Sequence, residues 1–206
     1  MKTKFQLISF VLFILSLAIL LTIYGAWLFY PGEISWLGIA RETGLKSSLI
    51  LKNFHILMNY LTNPFQATLS MPDFPSSAAG LHHFEQVKWL FHLVQLIFLV
   101  SLLGAFGYMK AVVKSGYLTI HRRLFAWLML VPLLLAAVVV VVGFESFFIL
   151  FHQILFAGDQ TWLFDPAKDP VILILPELFF LHCFALFLFL YELGFGICYW
   201  LSRRAH

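Results

Sequence analysis

Five histidines, His82, His83, His92, His152 and His182, stand beside apolar runs, apart from the basic segments of the chain. An imidazole titrates near neutrality, so it can take a proton from an amine or hydroxyl, donate to a developing oxyanion, or ligate a metal. Acids lie close to them in sequence: Glu85, Glu145, Asp165, Asp169 and Glu177. Glu85, Lys88, His92 and Gln95 recur at intervals of three, four and three, so a helix puts all four on one stripe, with His83 off it at the helix mouth. Lipid does not tolerate such a stripe, which is expected to face a bundle interior or a water-filled cavity. Glu145 and His152 share a face if helix continues past Gly143.

Each of these residues also has a plainer reading. An interfacial histidine can be satisfied by water or a backbone carbonyl. Asp165 and Asp169 each precede a proline and suit turns and caps, and Glu177 suits the positive end of the helix that opens at Leu175-Pro-Glu. Metal binding is poorly served: no His-Glu-x-x-His occurs, and a helix points the adjacent His82 and His83 about 100° apart. Haem between His92 and His182 would find no second histidine within either apolar run for a paired site. There is no Gly-x-Ser-x-Gly and no phosphate-cradling glycine loop, so a covalent mechanism has no evident nucleophile.

The elements that must position these residues are membrane helices. With 62 % hydrophobic and 11 % charged residues, a chain of 206 residues lacks the polar surface that a water-soluble domain needs. A span takes roughly 20 mostly apolar residues, and four windows qualify: 5–30, 89–109, 124–142 and 178–201. The first is longer than the apolar core of a secretory signal and reads as an uncleaved helix. Cys183 and Cys198 fall about four turns apart on one helix and cannot bond to each other.

Lys2, Lys4, Lys110, Lys114, Arg122, Arg123, Arg203 and Arg204 gather on one side, and nearly every acid on the other. That asymmetry puts both termini in the cytoplasm and the long loops, 31–88 and 143–177, outside. The net charge of +3 is a topology signal and gives no reason to expect nucleic acid as a partner. Tyr24, Trp27 and Tyr30 mark an outer aromatic belt, after which Pro31-Gly32 is expected to end the first helix. Within 41–61, Ile50, Phe54, Leu57 and Leu61 mark one helical face, expected in the outer interface among headgroups. The expected fold is thus all-α and membrane-integral: a single domain, 1–206, with four transmembrane helices in a bundle and an extracytoplasmic interfacial helix.

His83-Phe-Glu-Gln-Val-Lys88, Phe151-His152, Trp162-Leu-Phe-Asp165-Pro166-Ala-Lys-Asp169-Pro170 and Pro176-Glu177-Leu-Phe-Phe180 together resemble the bacterial lipoprotein intramolecular transacylases and their four-span relatives. The resemblance runs through nearly the whole chain in span order and is most specific over 151–180. It implies an enzyme of the bacterial cell membrane that moves an acyl chain from the glyceryl sn-2 ester on a lipoprotein's amino-terminal cysteine to the α-amino group of that cysteine, giving the lyso form. By the same resemblance, His83 and His152 are the expected catalytic pair, supported by Glu85, Lys88, His92, Glu145, Trp162, Asp165, Asp169 and Glu177. Diacylglyceryl lipoproteins and membrane lipid are the expected partners, and no cofactor or metal is expected. Gln86 stands where the family more often carries aspartate.

That chemistry suits the residues. Nucleophile and ester belong to one molecule, so effective molarity supplies much of the barrier reduction. What remains is to deprotonate an α-ammonium of pKa about 7.7–8.0 and to stabilise a tetrahedral oxyanion. Two histidines suffice for this, with Glu85, Glu145 or Asp165 to orient them. On the residues alone, two other readings stay open: a non-enzymatic membrane protein that binds lipid or assists a complex, and a metal-dependent membrane hydrolase.

Overall fold

The computed structural model describes residues 2–114 and 116–204; the side chains of Lys2 and Arg204, two members of the basic side, lie outside the described ones. Seven α-helices account for most of it: α1 (Lys2–Trp36), α2 (Ile39–Thr43), α3 (Ser47–Thr62), α4 (Ala78–Tyr108), α5 (Arg122–Val142), α6 (Phe144–Leu155) and α7 (Glu177–Arg204). Short π-helical and 3-10 turns at Met109–Val113, Tyr117–His121 and Pro170–Ile174 complete the order. Among the described residues, four segments are long and apolar enough to cross a membrane, Lys4–Trp36, Ala78–Val113, Tyr117–Val142 and Glu177–Arg203. Val140 and Val141 are each 84 % exposed on α5, a surface that only lipid would tolerate.

The helices overrun the expected windows. Pro31 does not end α1, which continues to Trp36. Tertiary packing holds the extra turn: Tyr30 is fully buried, stacks on Phe54 with ring centroids 3.5 Å apart, and donates its hydroxyl to the Ile174 carbonyl at 2.5 Å. These contacts outweigh the lost proline N–H. Gly143 does break the chain as a helix: at φ 89° and ψ 148° it closes α5, and α6 starts anew at Phe144. The fourth apolar helix also carries an acid, Glu192, whose buried Oε1 has no hydrogen-bond donor among the described residues.

Internal contacts divide the chain into two compact units. One comprises Met1–Thr22, Val94–Gly143 and Phe184–His206. Its core gathers Phe10, Tyr108, Phe125, Tyr191 and Phe195, with Phe10 stacked on Tyr108 at 4.7 Å. Gly104 lets α4 and α1 approach so closely that a Cβ there would fall 2.4 Å from the Ser9 side chain. The sequence spacing of the glycines gives no hint of this.

The other unit comprises Ile23–Leu93 and Phe144–Cys183 and holds both expected catalytic histidines. The face read from the spacing on α3 is the buried one: Ile50, Phe54, Leu57 and Leu61 are all at most 5 % exposed. It packs on protein, Phe54 meeting Tyr30 and Phe179, which leaves Ser48, Lys52, His55 and Asn59 along a surface groove. A glycine at φ 68°, Gly44, separates α3 from the short α2.

The start of α4 is fixed from a distant loop. Asp169 accepts hydrogen bonds from the Ser77 N–H and the Ser77 hydroxyl, both at 2.7 Å, and the same hydroxyl accepts from the Gly80 N–H at 3.0 Å. Residues 92 positions apart thus satisfy donors that a helix N-terminus leaves orphaned. A Cβ at Gly80 would lie 2.2 Å from Asp169 Oδ1. Gly80→Ala is therefore expected to push the carboxylate out of the clasp and destabilise the protein by about 1–3 kcal/mol. Thermal unfolding in detergent reads this, and an unchanged midpoint would show that the clasp contributes nothing.

Candidate active site

His83 sits on the second turn of α4, 7 % exposed, in a box of rings. Phe156 meets its face edge-on at 4.8 Å, Phe164 at 5.5 Å, and the His152 imidazole lies 5.9 Å away, centroid to centroid. Its Nδ1 is buried and has no hydrogen-bond partner among the described residues. A polar atom kept dry and unpaired carries a free-energy penalty, which is tolerable where a substrate group will complete it.

His152 comes from the last turn of α6. Its Nδ1 lies 2.8 Å from the Phe148 carbonyl one turn earlier. A carbonyl only accepts, so Nδ1 carries the proton and Nε2 keeps its lone pair. Trp162 stacks on the ring at 4.8 Å and 29°. Burial pushes the pKa of His152 below its ordinary value of 6.5, partly offset by the Phe148 carbonyl. The imidazole is therefore neutral around pH 7 and presents a basic nitrogen beside His83.

Asp159 joins the two helices. Its carboxylate accepts from the Thr161 N–H at 2.8 Å and from Gln86 Nε2 at 2.7 Å and lies 3.2 Å from His82 Nε2, while its carbonyl accepts from Trp162 Nε1 at 3.1 Å. The Thr161 backbone N–H foremost, with the Thr161 and Gln86 side chains and His82 adding to it, holds its carboxyl down at about 2. The charged carboxylate fixes Gln86 on α4, and the carbonyl of the same residue holds the Trp162 ring over His152.

The other residues expected at the site are distributed around it. Glu85 is exposed and lies near Tyr60, whose hydroxyl pKa is raised by burial first and by that charge second. Lys88 donates to the Gln66 carbonyl and lies 4.4 Å over the Tyr60 ring, which ties the loop after α3 to α4. His92 is half-buried, nine residues and about 13 Å along α4 from His83. Glu145 is exposed on the first turn of α6, and Glu177 is exposed on the first turn of α7. Asp165 accepts from the Ala167 N–H at 3.0 Å and pairs with Lys168 at 3.7 Å, a local turn, and Asp169 makes the clasp on α4.

On the α4 stripe Lys88, His92 and Gln95 are half-buried and Glu85 is exposed, while His83, off the stripe, is the buried residue. Sequence reasoning also missed two pairings. One is Asp159 with Gln86 and His82. The other is Glu33 with His182, Oε2 to Nδ1 at 2.9 Å, with Trp36 stacked on the imidazole at 4.9 Å. Proximity in sequence could not find partners 73 and 149 positions apart.

The family model of lipoprotein intramolecular transacylase Lit matches residues 4–180. The chain belongs to this family. A solved structure of the membrane integral lipoprotein intramolecular transacylase Lit from Bacillus cereus superimposes with a TM-score of 0.86 at 30 % identity, covering 99 % of this chain and 94 % of that one. Two variants of the same Bacillus cereus protein, with one histidine replaced by arginine or by alanine, match at TM-scores of 0.79 and 30 % identity. They cover 99 % of this chain, and 90 % and 91 % of the respective variant chains. No curated protein matches the sequence. The chain is accordingly a multi-pass membrane enzyme, and its ring-lined histidine pair falls within the matched residues.

Proposed function

We propose that this transacylase moves an acyl chain within one diacylglyceryl lipoprotein, from the glyceryl sn-2 ester on the amino-terminal cysteine to that cysteine's α-amino group, with His83 and His152 carrying the protons. The observation that carries the reading is the pair itself: two imidazoles 5.9 Å apart in an apolar box, one with its Nδ1 proton tied to a carbonyl and its Nε2 lone pair free. His152 takes a proton from the amine as nitrogen attacks the ester carbonyl. His83 donates to the sn-2 oxygen as its bond to the carbonyl carbon breaks. One amide forms, one alcohol is released, and the proton returns from His152 to His83 to reset the pair.

Phe156, Phe164, Phe148 and Trp162 offer apolar faces to acyl chains, and a dry surround strengthens each polar contact made to the oxyanion. The basic segments on the opposite side of the charge pattern support cytoplasmic termini and an outward-facing site. Membrane lipid is the surrounding solvent.

The test is mass spectrometry of a reporter lipoprotein's amino-terminal peptide from cells that lack any lipoprotein N-acylating enzyme. With this protein present, one acyl chain is expected to move from glycerol to nitrogen. An unchanged diacylglyceryl peptide despite confirmed expression would discard the reading.

The pH dependence carries the sign of the His152 shift. Because burial lowers that pKa below 6.5, the base stays unprotonated as the pH falls past 6.5. The rate is expected to fall tenfold per pH unit below about 7.7–8.0, where the α-amine protonates, and to steepen to a hundredfold per unit only below the lowered His152 value. In His152→Gln the steeper limb should vanish. A profile that keeps it would remove His152 from the role of base.

A further inference from the structure

Gln86 lies one helical turn beyond His83, on the same face of α4. Its amide nitrogen donates to Asp159 Oδ2 at 2.7 Å, so the carboxamide has one orientation: nitrogen toward Asp159, oxygen away from it. Asp159 cannot accept the reverse arrangement, because an ionised carboxylate has no proton to offer a carbonyl oxygen. That Gln86 oxygen is buried and receives no donor among the described residues, and one turn away His83 Nδ1 is in the same condition. Two dry, unpaired polar atoms at helical-neighbour spacing, one of them on the imidazole whose ring centroid lies 5.9 Å from that of His152, describe a place for a polar group that the protein itself does not fill.

We propose that the Gln86 oxygen is the acceptor for an N–H of the substrate's α-amino group, which makes it the contact that selects a primary amine as nucleophile. The inference rests on the transacylase reading above. A primary amine has two hydrogens to place: one goes to His152 Nε2 as the nitrogen–carbon bond forms and the carbon–oxygen bond to glycerol breaks. The other stays on nitrogen, bonded to Gln86, and remains as the N–H of the amide product. A secondary amine has only one hydrogen, so it cannot serve both groups. Asp159 acts as the positioning residue that keeps oxygen rather than nitrogen facing the substrate.

The experiment uses the full-length protein in detergent–lipid micelles and two synthetic diacylglyceryl-cysteine peptides, one with a free α-amine and one with an N-methyl α-amine. The wild type is expected to prefer the primary amine, and Gln86→Met, similar in volume but without an acceptor amide, is expected to shrink that preference about 10- to 100-fold. The preference is a ratio within one preparation, so loss of folded protein cancels out of it. A second pair tests orientation. In Asp159→Asn the new amide keeps the Thr161 contact with its oxygen and turns its nitrogen to Gln86, so the Gln86 amide must flip and present N–H groups to the substrate; kcat/KM for the primary amine should fall about 10-fold or more. Adding Gln86→Glu to Asp159→Asn returns an acceptor oxygen to the site and should recover most of that loss. If Gln86→Met slows both peptides equally, or the double variant is no better than Asp159→Asn, the assignment is wrong. A wild type that transfers no acyl chain on either peptide would instead overturn the transacylase reading.

Discussion

His83→Ala and His152→Ala are each expected to lower the rate of acyl transfer by about 10²- to 10⁴-fold, the usual worth of a positioned acid or base. The substrate still brings amine and ester together by itself, so the residual rate should stay above that of the free peptide in micelles. The two losses should not add. Once His152 no longer takes the amine proton, the tetrahedral adduct rarely forms, and a donor to its leaving oxygen has little to act on. The double variant is therefore expected within about tenfold of the worse single one, as for groups that act as a unit. Rates are read by mass spectrometry on a diacylglyceryl peptide. His83 touches Phe156 and Phe164, so its loss also opens a cavity; His83→Phe, which keeps the ring volume, separates packing from chemistry. If His83→Phe retains the wild-type rate, His83 is a packing residue and the proton chemistry must be sought elsewhere.

Much of the fold was legible in the sequence, and the reason is local. The number of membrane helices follows from runs of apolar residues, and the buried face of α3 follows from Ile50, Phe54, Leu57 and Leu61, because both are properties of short windows. The pairing of His83 with His152 came from family motifs rather than from periodicity, which put His83 off the polar stripe of α4. Periodicity assumes that polar residues share the interior, whereas here the interior around His83 is a box of aromatic rings, and the charged Glu85 faces outward. Helix ends were misjudged at Pro31 for a related reason. The contacts that carry α1 onward, Tyr30 with Phe54 and with the Ile174 carbonyl, join residues 24 and 144 positions apart. Asp159 carries no motif that sets it apart from the other acids of its loop, and Asp169 before Pro170 has the local signature of a turn or cap. The cap is real, but the helix it serves begins more than 90 residues earlier.

Breaking the Glu33–His182 pair is expected to give the largest loss of stability from a single substitution. Glu33 is 4 % exposed, and its Oε2 lies 2.9 Å from His182 Nδ1. Removing one partner of a buried pair leaves the other desolvated and alone, which typically costs about 3–5 kcal/mol. His182 keeps roughly a quarter of its side chain exposed, so solvent recovers part of that and the lower end, about 3 kcal/mol, applies to Glu33→Ala. For a chain of this length, that lowers the unfolding midpoint by about 6–12 °C.

The mirror substitution, His182→Ala, should cost no less, since it strands the more deeply buried carboxylate and removes the ring on which Trp36 stacks. Replacing both members with apolar groups of similar size, Glu33→Leu with His182→Phe, leaves nothing polar unpaired and preserves a stacking surface for Trp36. That double variant should regain most of the lost stability and, per folded molecule, transfer acyl chains at the wild-type rate, because the pair engages its own two members and Trp36 rather than the His83–His152 pair. If instead the double variant unfolds as early as Glu33→Ala, the stability comes from packing around each residue and not from the pair. If it folds normally but is inactive, Glu33 and His182 belong to the reaction, and the site extends to the end of α1.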